Sequence, residues 1–269
     1  MDGSVMEPKT RKESFGEIEY LPDRDKFFLK TDKNIDELAE EKLSAPLTAH
    51  WITTMKCNAR CPYCYELSSL LKPSAKEQIL SKEEITKFIE DFANAGGFRL
   101  YLTGGEPTLN PNLPYIIREA YKKQIKCVIN SNGIEMPEDV YCAIKESESR
   151  LSLSLDSYER EVHNSARRQK SFDNIVNILK RAGEDNLDVR IISVLQNKDS
   201  EYWIKFGQFI SQLKVKNWFI QGLQNNSEEL NGLESLLKEK FPEMRIRVLP
   251  AIYESFFYIL PNGDVASKL

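Results

Sequence analysis

Histidine and cysteine are scarce in this sequence: 269 residues include two histidines and five cysteines. The histidines, His50 and His163, lie far apart and form no paired ligand spacing, which argues against a histidine-based metal site. Five is an odd number, and three of the cysteines fall between positions 57 and 64, so a disulfide framework is also disfavoured. The cysteine pattern indicates a reduced compartment and metal or redox chemistry.

The sequence also lacks a long apolar segment and a strong excess of charge of one sign. No apolar run approaches the ~18 residues of a membrane-spanning helix, and residues 1–20 lack the hydrophobic region of a secretory signal. The formal net charge of -4 provides no bulk attraction for nucleic acid or anionic lipid. We therefore expect a cytoplasmic protein without a nucleic-acid or membrane partner. The C-terminal residues 267–269, SKL, match a peroxisomal targeting signal, and we interpret the match as chance.

Short apolar strands alternate with amphipathic helices over most of the chain. Six strands are predicted, at residues 49–55, 98–102, 126–130, 151–155, 189–195 and 217–221. Between them, one helix opens with a capping box of Ser81 and Glu84, and others are predicted near 112–123, after Pro137, from Ser171 and around Trp203. Strands this apolar are typical of a parallel sheet that is buried on both faces. The pattern predicts an α/β fold, a partial (β/α)6 barrel of parallel strands with outer helices.

The residues before these strands predict a short N-terminal β-rich extension. Residues 1–13 are charged and polar without a period, and we expect a loose tail there. Residues 15–32 predict two short strands around a turn at Pro22 and Asp23. The predicted organisation is therefore an extension over residues 1–46, a barrel core over 47–224, and a C-terminal helix and strands over 225–269.

Polar or glycine-rich residues follow each of the first five predicted barrel strands. In chain order they are the cysteine loop, TGGE at 103–106, SNG at 131–133, Asp156 with Ser157, and Gln196 with Asn197. The carboxyl ends of parallel strands lie at one edge of the sheet, where α/β proteins carry their chemistry. We therefore expect these residues to form one site.

The clustered cysteines, Cys57, Cys61 and Cys64, lie in the segment CNARCPYC. Thiolates bind zinc and iron–sulfur clusters, but structural zinc sites use four ligands, usually from two separated pairs. Cys127 falls in a predicted strand and Cys142 in a predicted helix, so we interpret both as apolar residues rather than ligands. Three thiolates on a four-iron cluster would leave one iron open to an exogenous ligand. A zinc-binding loop is the alternative.

Together these motifs resemble those of the radical S-adenosylmethionine (radical SAM) superfamily. Cys57, Cys61 and Cys64 have the spacing C-x-x-x-C-x-x-C, with Tyr63 just before the last cysteine. TGGEPTL at 103–109, NSNG at 130–133 and SLDS at 154–157 follow in order, so the resemblance covers about residues 47–223. The SLDS element is most similar to the branch that contains the molybdenum-cofactor cyclase and the peptide-modifying maturases.

The resemblance implies two cofactors. The three cysteines would ligate one [4Fe-4S] cluster, and the amino and carboxylate groups of S-adenosyl-L-methionine (SAM) would bind its fourth iron. One electron would then cleave SAM to methionine and a 5'-deoxyadenosyl radical, which abstracts hydrogen from the substrate. The implied partners are a small-molecule or peptide substrate and an electron donor such as flavodoxin or ferredoxin.

Matching the motifs residue by residue extends the implied site beyond the cysteines. The backbone of Gly104 and Gly105 and the carboxylate of Glu106 would meet the SAM ammonium group. Ser131 and Ser154 match family positions near the methionyl and ribose groups, whereas Tyr63 would line the adenine. The implied SAM contacts are Tyr63, Gly104, Gly105, Glu106, Ser131, Asn132, Ser154, Asp156 and Arg167.

The segment EVHNSARRQKSF, residues 161–172, resembles a further family pattern. A histidine, here His163, is followed four residues later by an arginine, here Arg167, which approaches the SAM carboxylate in the family. Glycine usually follows that arginine, whereas this sequence has Arg168, which leaves the loop geometry and the role of Arg167 open. A solvated basic loop before a helix is the alternative.

Three further expectations concern the C-terminal part and the function. No cysteine follows Cys142, although FFYILPNGD at 256–264 resembles the entry to the cysteine-rich extension of many maturases, so we expect a single cluster. Two other functions remain as alternatives to a radical SAM enzyme that acts on a small molecule or a peptide. One is a glycyl-radical-enzyme activase, which also carries a GGEP element but usually lacks SLDS. The other is a non-catalytic zinc- or cluster-binding interaction module. The sequence leaves the role of four polar residues open, since they either line a substrate cavity or face solvent: Gln196, Asn197, Gln221 and Gln224.

Overall fold

The structure of the protein, a computed structural model, describes residues 6–64, 79–195, 199–222, 227–249, 258–263 and 265–266. The strands within these ranges are β1 (Lys9–Glu13), β2 (Gly16–Leu21), β3 (Lys26–Lys30), β4 (Thr48–Ile52), β5 (Arg99–Thr103), β6 (Lys126–Ser131), β7 (Arg150–Ser154), β8 (Val189–Val194), β9 (Asn217–Gln221), β10 (Arg245–Leu249), β11 (Tyr258–Ile259) and β12 (Val265–Ala266). They form a small N-terminal sheet and a large sheet.

The large sheet confirms the predicted fold class and has one more long parallel strand than the six predicted. Its order is β10-β9-β8-β7-β6-β5-β4-β11-β12, and β4 through β10 are parallel neighbours. The additional strand, β10, lies in the segment 225–269, for which the sequence predicts a helix and strands without a place in the barrel sheet. It alternates exposed Arg245 and Arg247 with buried Ile246 and Val248, as a half-buried edge strand does. The central strands β6, β7 and β8 are mostly buried on both faces.

Helices cover one face of this sheet and bury the main core. They are α2 (Lys82–Asn94), α3 (Leu113–Lys122), α4 (Glu138–Glu146), α5 (Arg160–Arg167), α6 (Phe172–Glu184), α7 (Ser200–Gln212) and α8 (Ser227–Lys240). The short helix α1 (Ile35–Leu38) instead packs through Leu38 against the apolar cluster of the N-terminal sheet. Ser81 and Glu84 form the predicted capping box of α2. Alternate strand residues, such as Leu151 and Leu153, pack in the core with these helices, and each fully buried leucine contributes about 1.5–3 kcal/mol. The intervening strand residues lie on the opposite face of the sheet, which we call the inner face.

The N-terminal sheet has three antiparallel strands in the order β1-β2-β3. The two strands predicted within residues 15–32 are β2 and β3, but the expectation of a loose tail is wrong for residues 9–13, which form β1. The Lys9 ammonium donates to the carbonyl of Lys123, and the Arg11 guanidinium donates to the carbonyl of Gly96. These long-range contacts order a charged strand that has no local apolar pattern.

Several predictions concern parts of the chain outside the described residues. These predictions are the ones made for Gln196, Asn197, Gln224 and residues 267–269. The division at residues 46 and 224 and the cytoplasmic location also stay predictions. No helix in the described part of the chain combines the length and apolarity needed to cross a membrane.

Candidate functional site

The loops that follow β4 and β5 run side by side at the carboxyl edge of the large sheet. Three backbone N–H groups join them: Thr53 donates to the carbonyl of Thr103 at 2.8 Å, Gly105 to that of Thr54 at 2.8 Å, and Glu106 to that of Lys56 at 2.7 Å. The chain that leads into the cysteines is therefore held by the TGGE segment.

Gly104 and Gly105 are required by this close contact between two backbones. A Cβ on Gly104 would lie 2.2 Å from the carbonyl oxygen of Thr54, and φ at Gly104 is +146°. A Cβ on Gly105 would lie 2.2 Å from the carbonyl oxygen of Lys56. The glycines thus allow main chain to approach main chain, a role that the motif alone does not indicate.

Glu106 joins this pair of loops to the end of β6. Its side chain is buried, and Oε1 accepts hydrogen bonds from the Thr108 N–H at 3.2 Å, the Thr108 hydroxyl at 2.9 Å and the Ser131 hydroxyl at 2.8 Å. Oε2 accepts one from the Asn132 N–H at 2.7 Å. Burial raises the pKa of Glu106, against the effect of these hydrogen bonds.

The three clustered cysteines lie on the loop after β4, and none of them forms a disulfide. The Cys57 Sγ accepts the Ala59 N–H at 3.4 Å and lies 3.9 Å from Nδ2 of Asn132. The Cys61 thiol is buried and donates to the carbonyl of Arg167 at 3.7 Å, and the Cys64 N–H donates to the carbonyl of Cys61. The cysteine loop therefore contacts both the SNG loop and the end of α5.

The three thiols of this loop are donors that an iron–sulfur cluster uses, and zinc also binds thiolates. No three His, Cys, Asp or Glu side chains in the described ranges are grouped so that they could hold a metal ion. A [4Fe-4S] cluster binds each thiolate to a different iron and so needs a wider arrangement of sulfurs. Three cysteine side chains on one loop, with amide donors beside Cys57, are donors of the type that such clusters use.

Asp156, Arg167 and Tyr63 form a buried network behind the cysteine loop. Arg167 donates from Nε to one oxygen of Asp156 at 2.6 Å and from Nη2 to the other at 3.0 Å. The Tyr63 hydroxyl donates to Asp156 at 2.5 Å, and the Arg167 guanidinium lies 5.6 Å from the centre of the Tyr63 ring. This bidentate ion pair joins α5 to the loop after β7.

Helix α5 corrects the interpretation of residues 161–167 as a solvated basic loop. His163 and Arg167 are both buried on its inward side. Nδ1 of His163 accepts the Asp156 N–H at 3.2 Å, and Nε2 lies 2.9 Å from the Ser171 hydroxyl. Burial lowers the pKa of His163 to about 4, so the imidazole is neutral near pH 7 and has a structural role in the described network.

Arg168 occupies the position where the family pattern has glycine and adopts the backbone conformation typical of glycine. It ends α5 with φ of 51° and ψ of 35°, in the left-handed region. An exposed arginine therefore adopts the left-handed conformation that ends α5, where the family has glycine. Its side chain adds about 1–2 kcal/mol of backbone strain to the folded state.

Arg168→Gly is therefore expected to stabilise the protein by about 0.5–1 kcal/mol, because the relief of strain exceeds the added entropy of the unfolded chain. Urea unfolding of the two proteins measures this difference. Lys170→Gly is the matched control, since Lys170 is exposed in the same loop with a negative φ. Equal destabilisation by both substitutions would contradict the assignment of strain to Arg168.

The hydrogen bonds between the loops described above bring together most of the residues that are predicted to bind SAM. Eight of them belong to the hydrogen-bonded loops and the end of α5: Tyr63, Gly104, Gly105, Glu106, Ser131, Asn132, Asp156 and Arg167. Ser154 is half-buried at the end of β7, and no side-chain hydrogen bond within the described ranges joins it to the others.

Two further residues of the site have no signal in the sequence. The Asn58 Oδ1 accepts a hydrogen bond from Nδ2 of Asn132 at 2.8 Å, and the Asn58 carbonyl accepts one from the Gln169 side chain at 2.6 Å. Gln169 lies more than 100 positions further along the chain, so only the fold reveals the contact.

The chain matches a known family and resembles solved structures. The profile of the Radical SAM superfamily matches residues 51–210. A GTP 3',8-cyclase of Mannheimia succiniciproducens is 29% identical over 197 residues, which are 68% of this chain and 58% of that protein. The chain thus spans less than two thirds of the length of that relative.

SuiB of Streptococcus suis has a similar fold. Its structure bound to S-adenosylmethionine has a TM-score of 0.79 at 13% identity, over 97% of this chain and 81% of that one. Its structure bound to the precursor peptide SuiA has a TM-score of 0.78 at 14% identity, over 98% and 82% of the two chains. The likeness at these identities concerns the fold, whereas the profile covers more than half of the sequence. The chain belongs to the radical SAM superfamily.

Proposed function

We propose that this chain is a radical SAM enzyme in which Cys57, Cys61 and Cys64 ligate a [4Fe-4S] cluster. The observation that carries the proposal is the direct contact of the three-thiol loop with the TGGE, SNG and α5 segments. When bound and reduced, the cluster and SAM supply a 5'-deoxyadenosyl radical that abstracts hydrogen from a small molecule or a peptide. The electron comes from a donor such as flavodoxin or ferredoxin.

Glu106 is proposed to bind the SAM ammonium group through Oε2. Three hydrogen bonds occupy Oε1, whereas Oε2 accepts one from the backbone of Asn132. A carboxylate oxygen has two lone pairs. The Thr108 N–H, the Thr108 hydroxyl and the Ser131 hydroxyl share those of Oε1, whereas Oε2 has one lone pair left for an ammonium N–H. Gly104 and Gly105 hold the backbone of this segment against the cysteine loop, and Ser131 orients the carboxylate.

Asp156 and Arg167 are proposed to position the site. Two N–H groups of the Arg167 guanidinium donate to the carboxylate of Asp156. This pairing supports a positioning role for Arg167, rather than the direct contact with the SAM carboxylate that the family pattern implies. Their ion pair holds Tyr63, whose ring is proposed to line the adenine. Ser154 lies two residues before Asp156 and is proposed to contact the ribose.

The substrate is proposed to bind over the inner face of the large sheet. Four side chains on this face are only half-buried, so that a ligand could contact them: Tyr101, Asn130, Ile192 and Phe219. Oδ1 of Asn130 and the hydroxyl of Ser152 are buried without a hydrogen-bond partner among the described residues, and these two residues are neighbours in the β6–β7 register. Buried polar atoms of this kind require partners, which polar groups of a substrate can provide.

The test is formation of 5'-deoxyadenosine. The protein is reconstituted anaerobically with iron and sulfide, and SAM and dithionite are added. Chromatography with mass detection should show 5'-deoxyadenosine and methionine, and the protein should be brown with broad visible absorption. A colourless protein that binds zinc and leaves SAM intact would instead support the interaction module and contradict the proposal.

A further inference from the structure

Three arginines from the amino ends of barrel strands converge on one carboxylate of the N-terminal sheet. Arg99 begins β5, Arg150 begins β7, and Arg190 is the second residue of β8. We call these three residues the arginine floor. Asp25 lies in the turn between β2 and β3, and its side chain contacts all three guanidinium groups.

Both oxygens of Asp25 are used. Oδ1 accepts hydrogen bonds from Nη1 of Arg99 at 2.5 Å and from the Tyr20 hydroxyl at 3.0 Å. Oδ2 accepts one from Nη1 of Arg150 and lies 3.5 Å from Nη2 of Arg190. The Asp25 side chain is only 3% exposed, and that of Arg99, the most exposed of the three, is only 14% exposed. Asp25 therefore serves as a buried counter-ion for the arginine floor.

Positive charge nevertheless exceeds negative charge here. Buried Lys126 adds a fourth cation, while Asp188 adds one carboxylate, which pairs with Arg150 at 2.9 Å and lies 3.9 Å from Lys126. Arg190 is the least compensated arginine, since it lies farthest from Asp25, at 3.5 Å. Its buried Nε, like that of Arg99, has no hydrogen-bond partner among the described residues. Burial and the charge of Arg150 lower the pKa of Arg190.

The arginine floor lies directly beneath the inner face. The Arg99 guanidinium is 5.0 Å from the ring centre of Tyr101 and 5.1 Å from that of Phe27 of the N-terminal sheet. The Arg190 guanidinium is 4.1 Å from the ring centre of Phe219. Because Tyr101 and Phe219 are half-buried on the inner face, the floor forms the base of the proposed substrate region.

We propose that Asp25 determines substrate specificity: its carboxylate occupies the oxyanion position between Arg99, Arg150 and Arg190, and it thereby excludes substrate groups that carry a carboxylate or phosphate. Guanidinium groups that converge from several strands recognise such groups through paired hydrogen bonds. The position is already filled by an anion from the protein itself. This inference rests on the proposed function, which puts the substrate over the inner face.

Removing the Asp25 carboxylate should open an anion site. In Asp25→Ser, three buried cations lose their shared counter-ion, and the melting temperature Tm should fall. Formate or inorganic phosphate should then restore it. At about ten times the dissociation constant, the rise should be about 3–6 °C. The wild type should not respond, because its own carboxylate occupies the position.

Two single substitutions control for surface effects. Asp23→Ser removes a carboxylate of the same turn, but Asp23 is 67% exposed and pairs only with Arg24 among the described contacts. Its Tm should not respond to formate. Asp25→Asn removes the charge but fills the space, so it should be destabilised and should respond much less than Asp25→Ser.

The outcomes are distinct. A folded Asp25→Ser protein whose Tm is unchanged by both anions overturns the proposal, as does an equal rise in the wild type or in Asp23→Ser. If the single variant does not fold, Asp25→Ser with Arg190→Gln buries one cation fewer, and absence of an anion response in that protein also overturns the proposal. The measurement uses no SAM, so its result is separate from failure of the proposed enzyme to form 5'-deoxyadenosine.

Discussion

Cys61→Ala is expected to reduce 5'-deoxyadenosine formation to the level of an enzyme-free control. Cys61 is the buried member of the three thiols, and its loop contacts α5 through the carbonyl of Arg167. If the three thiolates are the cluster ligands, as proposed, the substitution removes one that no neighbouring cysteine can replace, because Cys127 is buried within β6 and Cys142 lies on α4. Product chromatography, iron content and visible absorption after anaerobic reconstitution measure the effect.

Cys142→Ala is the matched control for this substitution. Cys142 is a partly exposed free thiol that contacts Glu138 on its own helix. Its replacement should leave both the visible absorption and the product yield unchanged. Full activity of Cys61→Ala, or equal loss in Cys142→Ala, would show that the ligands are not the three clustered cysteines. Cys57→Ala and Cys64→Ala should behave like Cys61→Ala.

Asp156→Ala is expected to lower the free energy of unfolding by about 3–5 kcal/mol. The substitution leaves the Arg167 guanidinium buried without its counter-ion, which is the costly way to break a buried ion pair. It also removes the acceptor of the Tyr63 hydroxyl and of the Val194 N–H. Urea unfolding measures the change, and 5'-deoxyadenosine formation should fall as well because Tyr63 and the cysteine loop lose their support.

An exposed ion pair provides the comparison. Asp173 lies 2.6 Å from Arg160, and their side chains are 61% and 58% exposed. Asp173→Ala should cost less than about 1 kcal/mol because solvent screens the pair. In a double-mutant cycle, Asp156→Ala with Arg167→Ala should cost less than the sum of the single changes. Equal costs for Asp156→Ala and Asp173→Ala would contradict the buried network.

The same network predicts how stability depends on pH. Burial alone would raise the pKa of Asp156, but Arg167, Tyr63 and the Val194 N–H lower it below its ordinary value. A depressed carboxyl pKa stabilises the folded state above the unfolded pKa of about 3.9, and this contribution is lost as pH falls through the folded value. The stability difference between the wild type and Asp156→Asn should therefore shrink below about pH 4.

Much of the fold and of the site is local in origin. Apolar runs alternate with helices, and this pattern predicts six parallel strands because each run must be buried on both faces. Polar motifs then follow the strand ends, so topology alone places Cys57, Glu106, Ser131 and Asp156 at one edge. The edge strand β10 and the charged strand β1 have no such pattern, and their places in the two sheets are set only by pairing with β9 and β2.

The sequence by itself determined the family, the α/β class and the edge of the sheet at which the cysteines lie, because these depend on local spacing and periodicity. Only the tertiary structure decided that Arg167 is buried on Asp156, that Arg168 replaces a glycine in the left-handed conformation, and that Asp25 contacts arginines of three strands. The physical reason is that charge pairing and burial depend on how segments pack in three dimensions, as for Asp25 and Arg150, which lie 125 positions apart, and no local pattern records such contacts.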